Sequence, residues 1–180
     1  LRKRNLDKKV YLWSDDNLST DYFWRYLSDE DQELVTNYAS YGRVCCLKGF
    51  DKESFSFNTQ VDSKLFDKQF ELIRRFLNIG IDLYTYVTFT TRSENHIEDS
   101  MRAFVDQLQE VDQNLPLRTV PLEIRAFTPV KSRLDSVKEK ALKNQYLAKD
   151  SWRKELEDRY SSGMRSKSIA DIPLHGLGQG

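Results

Sequence analysis

The feature that most constrains this chain is an alternation of short apolar runs with amphipathic helical stretches, repeated four times. Lys9-Val10-Tyr11-Leu12-Trp13-Ser14 reads as a short buried strand, stopped by Asp15-Asp16-Asn17. Ser19 or Thr20 can cap a helix on which Phe23, Trp24 and Leu27 share a face. A second helix runs from about Asp29 to Ala39, and Gly42 closes that unit. Arg43 to Lys48 is the second strand, closed by Gly49, and Asp51 to Phe57 a short helix. Ser63 to Asn78 sets Leu65, Phe66, Phe70, Ile73, Phe76 and Leu77 in an amphipathic pattern, with Gly80 where a helix-ending glycine belongs. Ile81 to Phe89 is the run richest in β-branched and aromatic residues. Glu94 to Leu115 is a further amphipathic helix, and Arg118 to Phe127 a fourth strand despite Pro121. After Pro129 the pattern predicts one long polar helix, Leu134 to Tyr160.

Such a run of βα units implies a parallel sheet with helices outside it. The expected fold is α/β, a partial (β/α) barrel of about four parallel strands followed by a long C-terminal helix. An open doubly wound sheet is the alternative, but no glycine-rich phosphate fingerprint follows the first strand, which disfavours a dinucleotide-binding fold. Residues 1–130 form the expected barrel-like body, 131–165 a helical extension, and 166–180 a tail with three glycines in its last five residues. Trp152, Leu156 and Tyr160 form one narrow apolar stripe on the extension.

Charge narrows the function classes. Lys plus Arg and Asp plus Glu both number 28, so nucleic acid is an unlikely partner for the chain as a whole. The basic residues concentrate at the ends: residues 131–167 hold eleven against six acids, and 10–130 hold twelve against twenty. No 18-residue apolar run and no signal-peptide pattern is present, so no membrane association is expected and a cytoplasmic location is. Cys45 and Cys46 are adjacent, which rules out a disulfide framework and suits a reducing compartment. The first residue is Leu1, and the expectation is a C-terminal half of a longer polypeptide.

In parallel α/β folds, ligand groups cluster at the C-terminal strand ends. Here those ends read Asp15-Asp16-Asn17, Leu47-Lys48-Gly49-Phe50, Thr88-Phe89-Thr90-Thr91-Arg92 and Phe127-Thr128-Pro129-Val130. Carboxylates, an ammonium, hydroxyls and an amide suit a polar ligand carrying both charges, such as an amino acid or a nucleoside. The plainer readings are turn and cap chemistry for the Asp-Asp-Asn run and β-propensity for the threonines. Cys45 and Cys46 should point to opposite faces of their strand and serve as small buried hydrophobes. His96 and His175 are too far apart in sequence for zinc-ligand spacing, and no nucleophile–base order can be argued.

In order and content these strand ends resemble the second half of a radical SAM domain, the partial (β/α)6 barrel that uses S-adenosylmethionine and a [4Fe–4S] cluster. The nearest flavour is the glycyl-radical activating-enzyme-like branch and its iron–sulfur oxidoreductase relatives. Asp15-Asp16-Asn17 resembles that family's Asp-x-Asn strand end, and Cys45-Cys46-Leu47-Lys48-Gly49-Phe50-Asp51 its Leu-Lys pair before a short helix, with Cys46 where the family has Asp. Ile81 to Val87 follows helix and glycine as in the family, and Pro121 to Pro129 resembles its sixth strand. The likeness covers residues 9–130. It implies that Asp15 and Asn17 meet the ribose hydroxyls or a cation, and that Lys48 meets the methionine carboxylate. It further implies that Tyr86, Thr88 and Thr90 line the interior and that Thr128 lies near the adenine. The family's Cys-x-x-x-Cys-x-x-Cys loop is absent, so the cluster ligands would lie in a missing N-terminal half of the barrel, the expected partner. The substrate is left open. The rivals are a cluster-free βα scaffold working through its basic helix, and a phosphate binder at the same strand ends.

Overall fold

The computed structural model describes residues 1–126 and 135–175. Four strands form one sheet: β1 (Leu12–Asp16), β2 (Tyr41–Leu47), β3 (Asp82–Thr88) and β4 (Thr119–Leu122). All neighbours are parallel and the order is β1-β2-β3-β4. Between them lie α1 (Tyr22–Tyr26), α2 (Asp29–Thr36), α3 (Lys52–Thr59), α4 (Phe66–Asn78) and α5 (Ile97–Val111). The long α6 (Ser136–Arg159) and the single turn α7 (Ser162–Arg165) follow. The fold is thus α/β with a four-stranded parallel sheet and a C-terminal helix, as expected.

Local chemistry sets the helix ends. Asp51 caps α3, its carboxylate accepting the Ser54 N–H at 2.7 Å while the Ser54 hydroxyl accepts the Asp51 N–H at 3.1 Å. At the end of α4, Gly80 takes φ +77°, a backbone shape that a β-carbon penalises. Its N–H donates to the Leu77 carbonyl and that of Ile81 to the Phe76 carbonyl, which satisfies two orphaned acceptors. Asp135 opens α6 by accepting the Lys138 N–H.

Pleat and register sort the strand residues into two faces. Leu12, Ser14 and Asp16 align with Tyr41, Arg43 and Cys45, and these with Leu83 and Thr85 beyond. This face meets the helices: Cys45, Leu47, Leu83 and Val87 share one cluster with Phe70, Ile73 and Phe76 of α4, Met101, Phe104 and Leu108 of α5, and Ala148 and Trp152 of α6. Phe104 packs edge-on against Phe70 and Phe89, and Trp152 leans on Phe89 and Phe104. The stripe on α6 is therefore core: Trp152 and Tyr160 are buried and Leu156 half-buried.

Several features differ from the expected elements, and four of them have a clear physical reason. β1 is an edge strand rather than a buried one: Tyr11 is 47% and Trp13 49% exposed, because nothing pairs with its outer side among the described residues. Gly42 lies inside β2, where the Tyr11 hydroxyl occupies the space a β-carbon would need. α1 starts after Asp21 rather than after Ser19 or Thr20, and without a side-chain cap. β4 stops at Leu122, with Pro121 tolerated because the strand is at the sheet edge. Beyond it, Gln145 of α6 substitutes for a partner strand, accepting the Ile124 N–H at 2.9 Å and donating to the Ile124 carbonyl at 2.8 Å. No described helix is long and apolar enough to cross a membrane.

Phe76 is 1% exposed, stacks on Trp24 and meets Phe23 edge-on. Phe76→Ala should lower the unfolding free energy in urea by about 3–5 kcal/mol, the cost of a large buried cavity. A loss under about 1 kcal/mol would show that α4 is not part of the core.

Candidate functional site

The second face of the sheet carries Tyr11, Trp13 and Asp15 beside Gly42, Val44, Cys46 and Lys48, then Asp82, Tyr84, Tyr86 and Thr88, then Val120 and Leu122. None of these residues belongs to the core cluster that the helices form. The register thus brings five polar groups to the C-terminal half of one face: Asp15, Cys46, Lys48, Tyr86 and Thr88. Asp15 and Asn17 are exposed, and Lys48, Tyr86 and Thr88 half-buried. The Thr88 Oγ1 itself is buried and makes no hydrogen bond among the described residues.

One further expectation changes, and one falls outside the described residues. Thr90 lies past the end of β3, and its hydroxyl donates to the Asn58 Oδ1 at 2.5 Å, so it serves the scaffold and does not face a ligand. Thr128 and the rest of Phe127-Thr128-Pro129-Val130 lie outside the described residues.

The strand ends are held by amides that the sequence reading passed over. Asn58 of α3 donates to the Lys48 and Thr90 carbonyls at 2.9 and 3.1 Å. Gln69 of α4 accepts the Lys48 N–H at 2.9 Å, and Asn144 of α6 donates to the Thr91 and Arg92 carbonyls. These contacts satisfy backbone groups that a ligand would otherwise reach and hold Lys48 at a fixed place. The one signal in the sequence was a polar amide, Gln69, one residue from Phe70 inside an apolar helix face.

The opposite end of the same face is closed. Trp13 stacks on Tyr84 at 5.0 Å between ring centres, and the Arg118 guanidinium sits 4.7 Å from the Tyr84 ring centre. Arg118 also pairs with Asp82 and donates to the carbonyls of Leu83, Ala170 and Ile172. Tyr11 donates to Asp82 at 3.0 Å, and burial with the Asp82 charge beside it pushes the phenol pKa well up.

The two thiols have different surroundings, as alternation requires. Burial among the helices pushes the Cys45 thiol far up, and Cys45 is 0% exposed. Cys46 is raised first by desolvation and opposed by the Lys48 charge, with Asp15 and Asp16 raising it further. The pair cannot grip one iron together, because the side chains leave opposite faces. Among the described residues no three His, Cys, Asp or Glu side chains converge to hold a metal. An iron–sulfur cluster does not fit the described residues of this chain. Three surface grooves lie by α5 and α6, by α3, and beside Ile124, and Asp15, Asn17, Lys48, Tyr86 and Thr88 line none of them.

A thiol reagent should modify Cys46 in the folded chain and reach Cys45 only after denaturation; equal rates for both would contradict this burial. Stability should also depend on alkaline pH. The fold holds the Cys45 proton more tightly than the unfolded chain does, so its contribution is complete below about pH 8.5 and declines as pH rises above that value. Cys45→Ala should flatten the decline in unfolding free energy between about pH 9 and 10.5; an unchanged slope would assign it to the tyrosines. Compared with known proteins, the chain matches no family model, no curated protein and no solved structure.

Proposed function

We propose that this chain is the C-terminal part of a radical SAM barrel, and that the face carrying Asp15, Lys48, Tyr86 and Thr88 is the wall against which S-adenosylmethionine and the substrate rest. The observation that carries the reading is the convergence of these groups at the C-terminal ends of a consecutively ordered parallel sheet, on the face the helices leave alone. A doubly wound sheet would reverse its strand order at the ligand crevice, and among the described strands the order is consecutive.

The residues on this face suit the cofactor's polar groups. The Lys48 ammonium pairs with a carboxylate, a charge-assisted contact that strengthens as water is excluded. Asp15 and Asn17 accept from ribose hydroxyls or from an ammonium. Tyr86 and Thr88 lie on the same face of β3, beside Cys46 and the end of β2. Beside a reducing cluster, S-adenosylmethionine would supply a reducible sulfonium for one-electron chemistry; the chain's own residues would contribute binding, orientation and exclusion of water. The cluster ligands belong to a preceding half of the barrel, whose last strand pairs with the free edge of β1 and covers Trp13. Reducing cytoplasm is the compartment that suits two free thiols and this chemistry.

A scaffold acting through a basic helix has less support. Lys149 is paired with Glu123, Lys140 with Glu94, Arg153 with Asp150, and Arg159 with Asp106 and Glu155. The chain's own acids thus meet much of the positive charge of α6.

Amide NMR of the full chain, titrated with S-adenosylmethionine, tests the reading. Shifts should concentrate at Asp15, Asn17, Lys48, Tyr86 and Thr88. Lys48→Ala should weaken binding by roughly tenfold or more, the loss of a contact worth ~1.5–3 kcal/mol. Shifts absent from this face, or a Lys48→Ala chain that binds as well as the parent, would contradict it.

A further inference from the structure

Arg43 is 3% exposed and Asp16 2%, and both lie on the helix side of the sheet. The Arg43 guanidinium rests 4.2 Å from the Phe76 ring centre and 5.1 Å from that of Phe23, and its Nη2 donates to the Tyr22 hydroxyl at 2.9 Å. Its Nε stands 3.6 Å from Asp16 Oδ2. As an ion pair this is poor: Asp16 Oδ2 and Arg43 Nε and Nη1 are buried and make no hydrogen bond. Burying two charges with such incomplete satisfaction contributes little net stability, and well-packed apolar side chains would serve a core better. The other Asp16 oxygen does a specific task. Oδ1 accepts the Leu18 N–H at 2.8 Å, closing a turn in which Leu18 is buried at φ +53°, a left-handed shape uncommon for leucine. Asp15 and Asn17 flank this anchor, and both are exposed.

We infer that Arg43 and Asp16 are a positioning pair: Arg43 orients the Asp16 carboxylate, which holds the Leu18 turn and thereby sets Asp15 and Asn17 for ligand contact. This deepens the proposed function and rests on reading that face as a ligand wall. Neither residue touches the ligand. The pair acts through the backbone between residues 15 and 18, as outer partners of a site orient the groups that bind.

The test is the double variant Asp16→Ala with Arg43→Met, which removes both charges and leaves an apolar filler beside Phe76. Its amide spectrum over α4 and α5 should match the parent. Hydrogen exchange of the Leu18 amide should accelerate by about tenfold or more, and half-saturation of the Asp15 and Asn17 shifts should need about tenfold more S-adenosylmethionine. Arg43→Lys, which keeps the charge but loses the Tyr22 hydrogen bond and the stack on Phe76 that place it, should speed Leu18 exchange in the same direction and carries the test if the double variant fails to fold. A folded variant with Leu18 exchange and ligand response within about twofold of the parent overturns the pair's role. A parent chain that gives no response to the ligand overturns the ligand wall instead, while Leu18 exchange still decides whether the pair holds the turn.

Discussion

A parallel sheet keeps both faces out of water, because its strands are joined through helices that must pack somewhere and its side chains are apolar on both sides. Here one face is occupied by α4, α5 and α6 through Phe70, Phe76, Phe104 and Trp152. The other face ends in Asp15, Cys46, Lys48, Tyr86 and Thr88 at one end and in the Trp13–Tyr84–Arg118 stack at the other. The proposed ligand wall and the proposed partner both rest on this asymmetry. In the proposed reading this is the asymmetry of a barrel wall, whose inner face would be completed by other strands.

The amides Asn58, Gln69, Asn144 and Gln145 convert that wall from a loose set of strand ends into a rigid one. Each side chain reaches from a helix to a backbone group that would otherwise lack a partner. Side chains placed on such strand ends keep their geometry without a ligand, which lowers the ordering cost when one arrives. Thr90 belongs to this scaffold through Asn58, which explains why a hydroxyl on the expected face is spent internally.

Much of the architecture was legible because period is a local property. The 3.6-residue spacing of Phe66, Phe70, Ile73, Phe76 and Leu77 placed α4, and Gly80 marked its end. The alternation at Cys45 and Cys46 assigned one thiol to each face. What stayed hidden depends on contacts distant in sequence. The exposure of β1 reflects a missing neighbour, not its own composition, so Tyr11-Leu12-Trp13 reads as buried. Arg43 opens the second strand in sequence, and only folding brings Phe23, Phe76 and Asp16 around it. In the candidate site, strand ends mark Asp15 and Lys48 and the two-residue period marks Tyr86 and Thr88; Asn58 has no local mark, since nothing in its neighbourhood identifies a helix amide as a backbone partner.

The most direct measurement of the central claim is the coding sequence upstream of Leu1. A barrel wall whose inner face awaits a cluster-bearing half predicts an in-frame Cys-x-x-x-Cys-x-x-Cys about 60–120 residues before Asp15, the length of two or three βα units. A stop codon followed directly by a start codon at Leu1 would contradict it and leave a cluster-free βα module.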